Sequence, residues 1–133
     1  MKPDRPTIAL IEDEFLLRVA LAKAMDDAGY NVVAAANGVE GLSLLQDRTI
    51  DLAIVDIVLP GRMDGVALVR EALRANPHLR AILTSGKPLA EAAQWSDIGT
   101  FLQKPYRVPE LLATIARLLD AEGAPIATPS ARA

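Results

Sequence analysis

Four short apolar runs, each ending in polar residues, constrain this chain more than any other feature. Ile8-Ala9-Leu10-Ile11 leads into Glu12-Asp13, and Leu52-Ala53-Ile54-Val55 into Asp56. Ala81-Ile82-Leu83 leads into Thr84-Ser85-Gly86, and Phe101-Leu102-Gln103 into Lys104-Pro105. Runs this short and this apolar suit strands covered on both faces, as in a parallel sheet. Between them, apolar residues recur at helical spacing: Leu17, Leu21, Ala24 and Ala28, then Val39, Leu42 and Leu45, then Val66, Val69, Ala72 and Leu73. Strand and helix in alternation imply right-handed crossovers with helices on both faces of the sheet.

The expected strands are Thr7 to Ile11, Asn31 to Ala35, Leu52 to Val55, Leu79 to Leu83 and Thr100 to Gln103. Helices are expected from Glu14 to Ala28, from Val39 onward, from Val66 until Pro77 stops it, and, short and weak, from Leu89 to Trp95. Pro109 suits the first turn of a last helix with Leu111, Ile115 and Leu118 on its buried stripe. Gly29 stands where a left-handed C-cap belongs. Asn37-Gly38 has hairpin chemistry, but the residues after it keep helical spacing. The fold class is therefore α/β: a doubly wound, five-stranded parallel sheet in the flavodoxin-like order 2-1-3-4-5. Residues 1–122 form one domain, and 123–133, rich in Ala, Pro, Thr and Ser without periodicity, read as a disordered tail.

Open α/β sheets bind ligands beyond the carboxyl ends of their strands, near the point where strand order reverses. Glu12, Asp13, Asp56, Thr84 and Lys104 would all lie there. Three clustered carboxylates repel one another unless a cation neutralises them, and Mg²⁺ prefers such oxygen ligands. Asp56 can attack phosphorus and form an acyl phosphate. The Thr84 hydroxyl can donate one hydrogen bond to a phosphoryl oxygen. The Lys104 ammonium can neutralise a phosphoryl group, or pair with Asp56 when none is bound; Lys87 is a weaker candidate near the same edge. Each residue alone has an ordinary explanation: Asp13 as a helix N-cap, Asp56 as a polar strand end, Thr84 as a turn residue, Lys104 as a solvated cation. Their appearance in order at the ends of strands one, three, four and five argues for a site.

The totals narrow the function classes. A net charge of −3 without a basic run argues against a nucleic-acid partner. The absence of cysteine excludes disulfides, thiolate metal sites and Cys nucleophiles. The first residues lack the apolar stretch of a signal peptide, and no run reaches membrane-spanning length, so a cytoplasmic location without a membrane partner is expected.

Residues 7 to 121 resemble the receiver domain of two-component response regulators. The resemblance rests on Ile11-Glu12-Asp13-Glu14, Val55-Asp56-Ile57-Val58-Leu59-Pro60-Gly61, Asp64-Gly65, Leu83-Thr84-Ser85-Gly86 and Phe101-Leu102-Gln103-Lys104-Pro105. It implies that Asp56 is the phosphoacceptor, and that Glu12, Asp13, Asp56 and the Val58 main-chain carbonyl serve Mg²⁺. It further implies Thr84 as switch hydroxyl, Phe101 as switch aromatic, Lys104 as phosphoryl contact and a cis Lys104-Pro105 bond. Such a domain is a signalling switch and not an enzyme. It takes its phosphoryl group from a sensor histidine kinase or a histidine phosphotransfer protein and acts on a downstream protein, as a monomer or a phosphorylation-dependent dimer. Val58 and Gly86 occupy positions that tune self-dephosphorylation in the family; neither can position a water, so slow hydrolysis is expected. The tail is too short for an output domain, which points to the fourth helix, fifth strand and fifth helix, with Leu112 and Leu119 nearby, as the output face.

Three departures stand out. Arg62 is one extra residue in the loop after Asp56. The stretch from Thr84 to Lys104 is about two residues short, so the fourth helix should be stunted. Phe101 lacks the hydroxyl of the Tyr often found there. Two other readings compete. A phosphorylation-independent pseudo-receiver adaptor would need none of these chemical groups, yet all are present. A Mg²⁺-dependent phosphatase with an Asp nucleophile normally has a second Asp two residues on, where this chain has Val58.

Overall fold

The computed structural model describes residues 1–47 and 49–123. Five strands alternate with helices: β1 (Thr7–Ile11), α1 (Phe15–Asp27), β2 (Asn31–Ala35), α2 (Gly38–Leu45), β3 (Leu52–Asp56), α3 (Gly65–Ala75), β4 (Arg80–Ser85), α4 (Leu89–Ala92), β5 (Thr100–Gln103) and α5 (Val108–Gly123). All strand pairs are parallel and the sheet order is β2-β1-β3-β4-β5, as the sequence pattern requires.

Period-two alternation sends side chains from each strand to opposite faces. Ala9, Ile11, Ala53, Val55, Ala81 and Leu83 pack with Leu45 of α2 and Leu68, Val69 and Ala72 of α3. Ile8, Leu10, Leu52, Ile54, Ile82 and Leu102 pack with Leu21 and Met25 of α1 and Leu111 and Ile115 of α5. Aliphatic side chains fill both layers, each fully buried one contributing about 1.5–3 kcal/mol of transfer free energy. Leu112 and Leu119 lean on the α1–α5 layer, so helix packing accounts for them.

The helices begin and end where the local chemistry directs. The Asn37 and Asp64 side chains accept hydrogen bonds from the amides of Glu40 and Ala67, capping α2 and α3. Gly29 follows α1 at φ +105°, a conformation costly for any residue with a Cβ. Gly65 is required for a different reason: a Cβ there would collide with the Asp56 main-chain carbonyl, so only glycine lets α3 start against the end of β3.

Two expectations need correction or delimiting, and a third holds. Thr84 and Ser85 do not open a loop; they close β4, because Asp56 pairs with Thr84 and Ser85 with Gln103 in the ladder. The fourth helix is indeed stunted, four residues followed by a 3-10 turn at Ala93–Trp95. The expected tail lies outside the described residues, apart from Gly123, which closes α5.

Candidate functional site at the carboxyl edge of the sheet

β1 and β3 are neighbours, with Ile11 opposite Val55, so the residues just past their ends meet. Glu12 and Asp56 are buried there and Asp13 is exposed; carboxylate oxygens of all three lie within 4.8 Å of one another. Lys104 reaches them from the end of β5. Its Nζ donates to Glu12 Oε1 at 3.1 Å and to Asp56 Oδ2 at 2.9 Å. The Lys104 amide donates to the Ser85 carbonyl at 2.8 Å, which carries the register of β4 and β5 one residue further and aims the side chain. The Lys104-Pro105 peptide is cis, as the resemblance implies.

Each oxygen of Asp56 therefore has a donor: Oδ2 the ammonium, Oδ1 the Val58 amide at 3.0 Å. Glu12 is held by the amide of Glu14, which donates to Oε2 at 3.1 Å. Thr84 faces Asp56 across the ladder and is 2% exposed; its hydroxyl has no hydrogen-bond partner among the described residues. A buried hydroxyl that lacks a partner is costly, so a group growing from Asp56 would find a ready donor.

Burial pushes the Glu12 carboxyl above its ordinary value, against the opposing pull of the Glu14 amide and of Lys104. Burial alone would lower Lys104, but hydrogen bonds and charge from Asp56 and Glu12 outweigh it and hold the ammonium above its usual range. One cation thus stands between two buried carboxylates, and Asp13 supplies a further negative group open to solvent. Hard divalent cations take such oxygen donors, often one or two carboxylates with waters completing the shell.

The ordinary explanation of Asp13 does not hold. The N-cap of α1 is Glu14, which makes no side-chain capping bond, and Asp13 hydrogen-bonds no described residue. Phe101 is half-buried, packed on the layer beneath α2 and α3. Lys87 is not drawn in: its side chain is exposed and pairs with no carboxylate among the described residues. It lines a neighbouring groove with Val58, Arg70 and Trp95. Val58 is 61% exposed and Gly86 is exposed.

Sequence reasoning missed two residues. Tyr106, directly after the cis peptide, is half-buried, and burial raises its phenol. Arg18 on α1 donates from Nη1 to the Glu12 carbonyl at 2.8 Å. The only available signals were proximity to Lys104-Pro105 for the first and one helical turn from Glu14 for the second.

Residues 8–116 match the response regulator receiver domain family. The chain belongs to it. CpdR, a response regulator receiver protein of Brucella abortus (strain 2308), is 33% identical over 117 residues, which is 86% of this chain and 97% of CpdR. The sensor kinase CckA of the same organism is 33% identical over 121 residues, and the match spans only 12% of CckA. A receiver protein structure from Sinorhizobium medicae WSM419 superposes with TM-score 0.84 at 27% identity, covering 92% of this chain and all of that one. A CheY-like receiver domain from Methanospirillum hungatei JF-1 gives 0.83 at 26% identity, covering 90% of this chain and 97% of the other. Among the described residues of this receiver domain, no helix is long and apolar enough to cross a membrane.

Proposed function

We propose that this receiver domain is a phosphorylation-activated switch of a two-component phosphorelay, with Asp56 as phosphoacceptor. The donor is a sensor histidine kinase or a histidine phosphotransfer protein. An Asp56 carboxylate oxygen attacks the phosphorus of a phosphohistidine; the new O–P bond forms as the P–N bond breaks, and the imidazole leaves with its electron pair. Glu12, Asp13, Asp56 and the Val58 carbonyl are the residues that would hold Mg²⁺, which supplies positive charge beside the transferring group. Positioned charge of this kind carries most of the work in phosphoryl transfer.

Lys104 moves from pairing with Asp56 Oδ2 to pairing with the added phosphoryl oxygens. The Thr84 hydroxyl donates to another of them. Shifting Thr84 opens room beside β4, and the half-buried Phe101 ring packs further inward. This biases two existing arrangements by the contacts that differ between them. Output is contact with another protein through the short α4, β5 and α5, in the cytoplasm. Neither apolar Val58 nor bare Gly86 can orient an attacking water, so the acyl phosphate persists.

The observation that carries this reading is one ammonium bridging two buried carboxylates opposite a Thr hydroxyl that has no partner among the described residues. The test is intact mass after incubation with a small phosphodonor and Mg²⁺. Wild type should gain one phosphoryl group and Asp56→Asn none. A wild type that stays unmodified supports the pseudo-receiver alternative.

A further inference from the structure

We propose that Arg18 is a positioning residue that sets the affinity of the acidic hollow for its divalent cation, an inference that rests on the Mg²⁺ reading above. The segment between β1 and α1 carries both acidic side chains and is held at three points. The Glu12 amide donates to the Ala35 carbonyl at 3.1 Å, and the Glu12 side chain accepts from the Glu14 amide. The Glu12 carbonyl, which begins the peptide leading into Asp13, has the Arg18 guanidinium as its partner, at 2.8 Å. Asp13 itself hydrogen-bonds no described residue, so the backbone that launches its Cβ is the part of it the structure holds in place. Arg18 is thus the side chain that fixes the plane of that peptide.

Its guanidinium is steadied in turn. Cζ lies 5.5 Å from the centre of the Phe15 ring, one turn earlier on α1, in cation–π range. Phe15 is 63% exposed, so its ring is free to lie under the guanidinium. The two residues form a strut from the first turn of α1 back to the end of β1.

Charge and geometry make opposite forecasts. As a cation bonded to the main chain that carries the acidic pair, Arg18 should oppose metal binding, so removing it should tighten Mg²⁺. As a strut it preorganises Glu12 and Asp13, so removing it should weaken Mg²⁺. Arg18 is only partly buried, so solvent screens its charge, whereas outer contacts that orient metal ligands are typically worth about tenfold or more in affinity. Geometry should win.

The experiment is calorimetric titration of the whole chain with Mg²⁺, beside thermal unfolding in EDTA. Arg18→Met keeps the apolar stem and should raise the dissociation constant about tenfold. Arg18→Lys, which retains charge and one reach of donor, should recover most of the loss. Phe15→Leu, which leaves every charge in place, should fall between. A merely structural residue would lower the unfolding temperature without this graded change in Mg²⁺ affinity. Equal or tighter binding by Arg18→Met overturns the inference; should that variant not fold, unchanged affinity in Phe15→Leu overturns it. A wild type that binds no Mg²⁺ overturns the underlying reading instead, which is a separate result.

Discussion

Replacing Lys104 by Met tests the site's electrostatics most severely, because it removes charge while keeping most of the apolar stem. The ammonium serves two side chains, Glu12 at 3.1 Å and Asp56 at 2.9 Å, that are only 4% and 9% exposed. Removing one partner of a fully buried ion pair costs about 3–5 kcal/mol, since the other charge is left without compensation. Lys104 is itself 25% exposed, so water shares part of that role, and about 2–3 kcal/mol is the expected loss near neutral pH. For a domain of this size that lowers the unfolding midpoint by about 8–12 °C. Unfolding in EDTA should show the full deficit. Two features identify its cause. The deficit should shrink as pH falls and Glu12, whose carboxyl is raised by burial, takes up its proton, and Mg²⁺ should stabilise Lys104→Met more than wild type, because it then replaces the missing cation. A variant as stable as wild type in EDTA, or a deficit that Mg²⁺ does not reduce, would refute the reasoning.

Gly65→Ala should destabilise by about 2 kcal/mol or more through its clash with the Asp56 carbonyl, whereas Gly86→Ala, with nothing within 4 Å of its Cβ, should stay within about 0.5 kcal/mol in urea unfolding. Val58→Asn should accelerate loss of the phosphoryl group, followed by intact mass over time; an unchanged lifetime would count against the role assigned to Val58. Glu12 gives a pH signature of defined sign. Its carboxyl is raised in the folded state, so the folded protein holds the proton longer than the unfolded chain and loses stability as pH rises from about 4.5 through the folded value. In EDTA, wild type should therefore lose ground to Glu12→Gln over that rise; the opposite slope would show that Lys104 outweighs burial.

The strand order was legible because each buried strand announces itself locally, by an apolar run that stops abruptly at a polar group. The polar stops at Glu12, Asp56, Thr84 and Lys104 then located the site, since a parallel sheet aligns such ends along one edge. The stunted fourth helix was legible as a length deficit between Thr84 and Lys104. What the sequence hid depends on pairing across strands. Thr84 and Ser85 look like a turn until Gln103 lies beside them. Lys104 bridging to Glu12 links residues 92 positions apart, and no local pattern tells whether that cation finds one carboxylate or two. Arg18 reads as a routine helix cation because a bond to a main-chain carbonyl leaves no trace in composition or periodicity.

The proposed switch turns on chemistry at one atom, a carboxylate oxygen of Asp56. Borohydride reduction of the phosphorylated chain, followed by peptide mapping, reports directly which carboxyl carried the acyl phosphate. Reduction at position 56 alone, dependent on Mg²⁺, is the expected result. Reduction at Asp13 or Asp64, or a borohydride-resistant phosphate on His78, would contradict it.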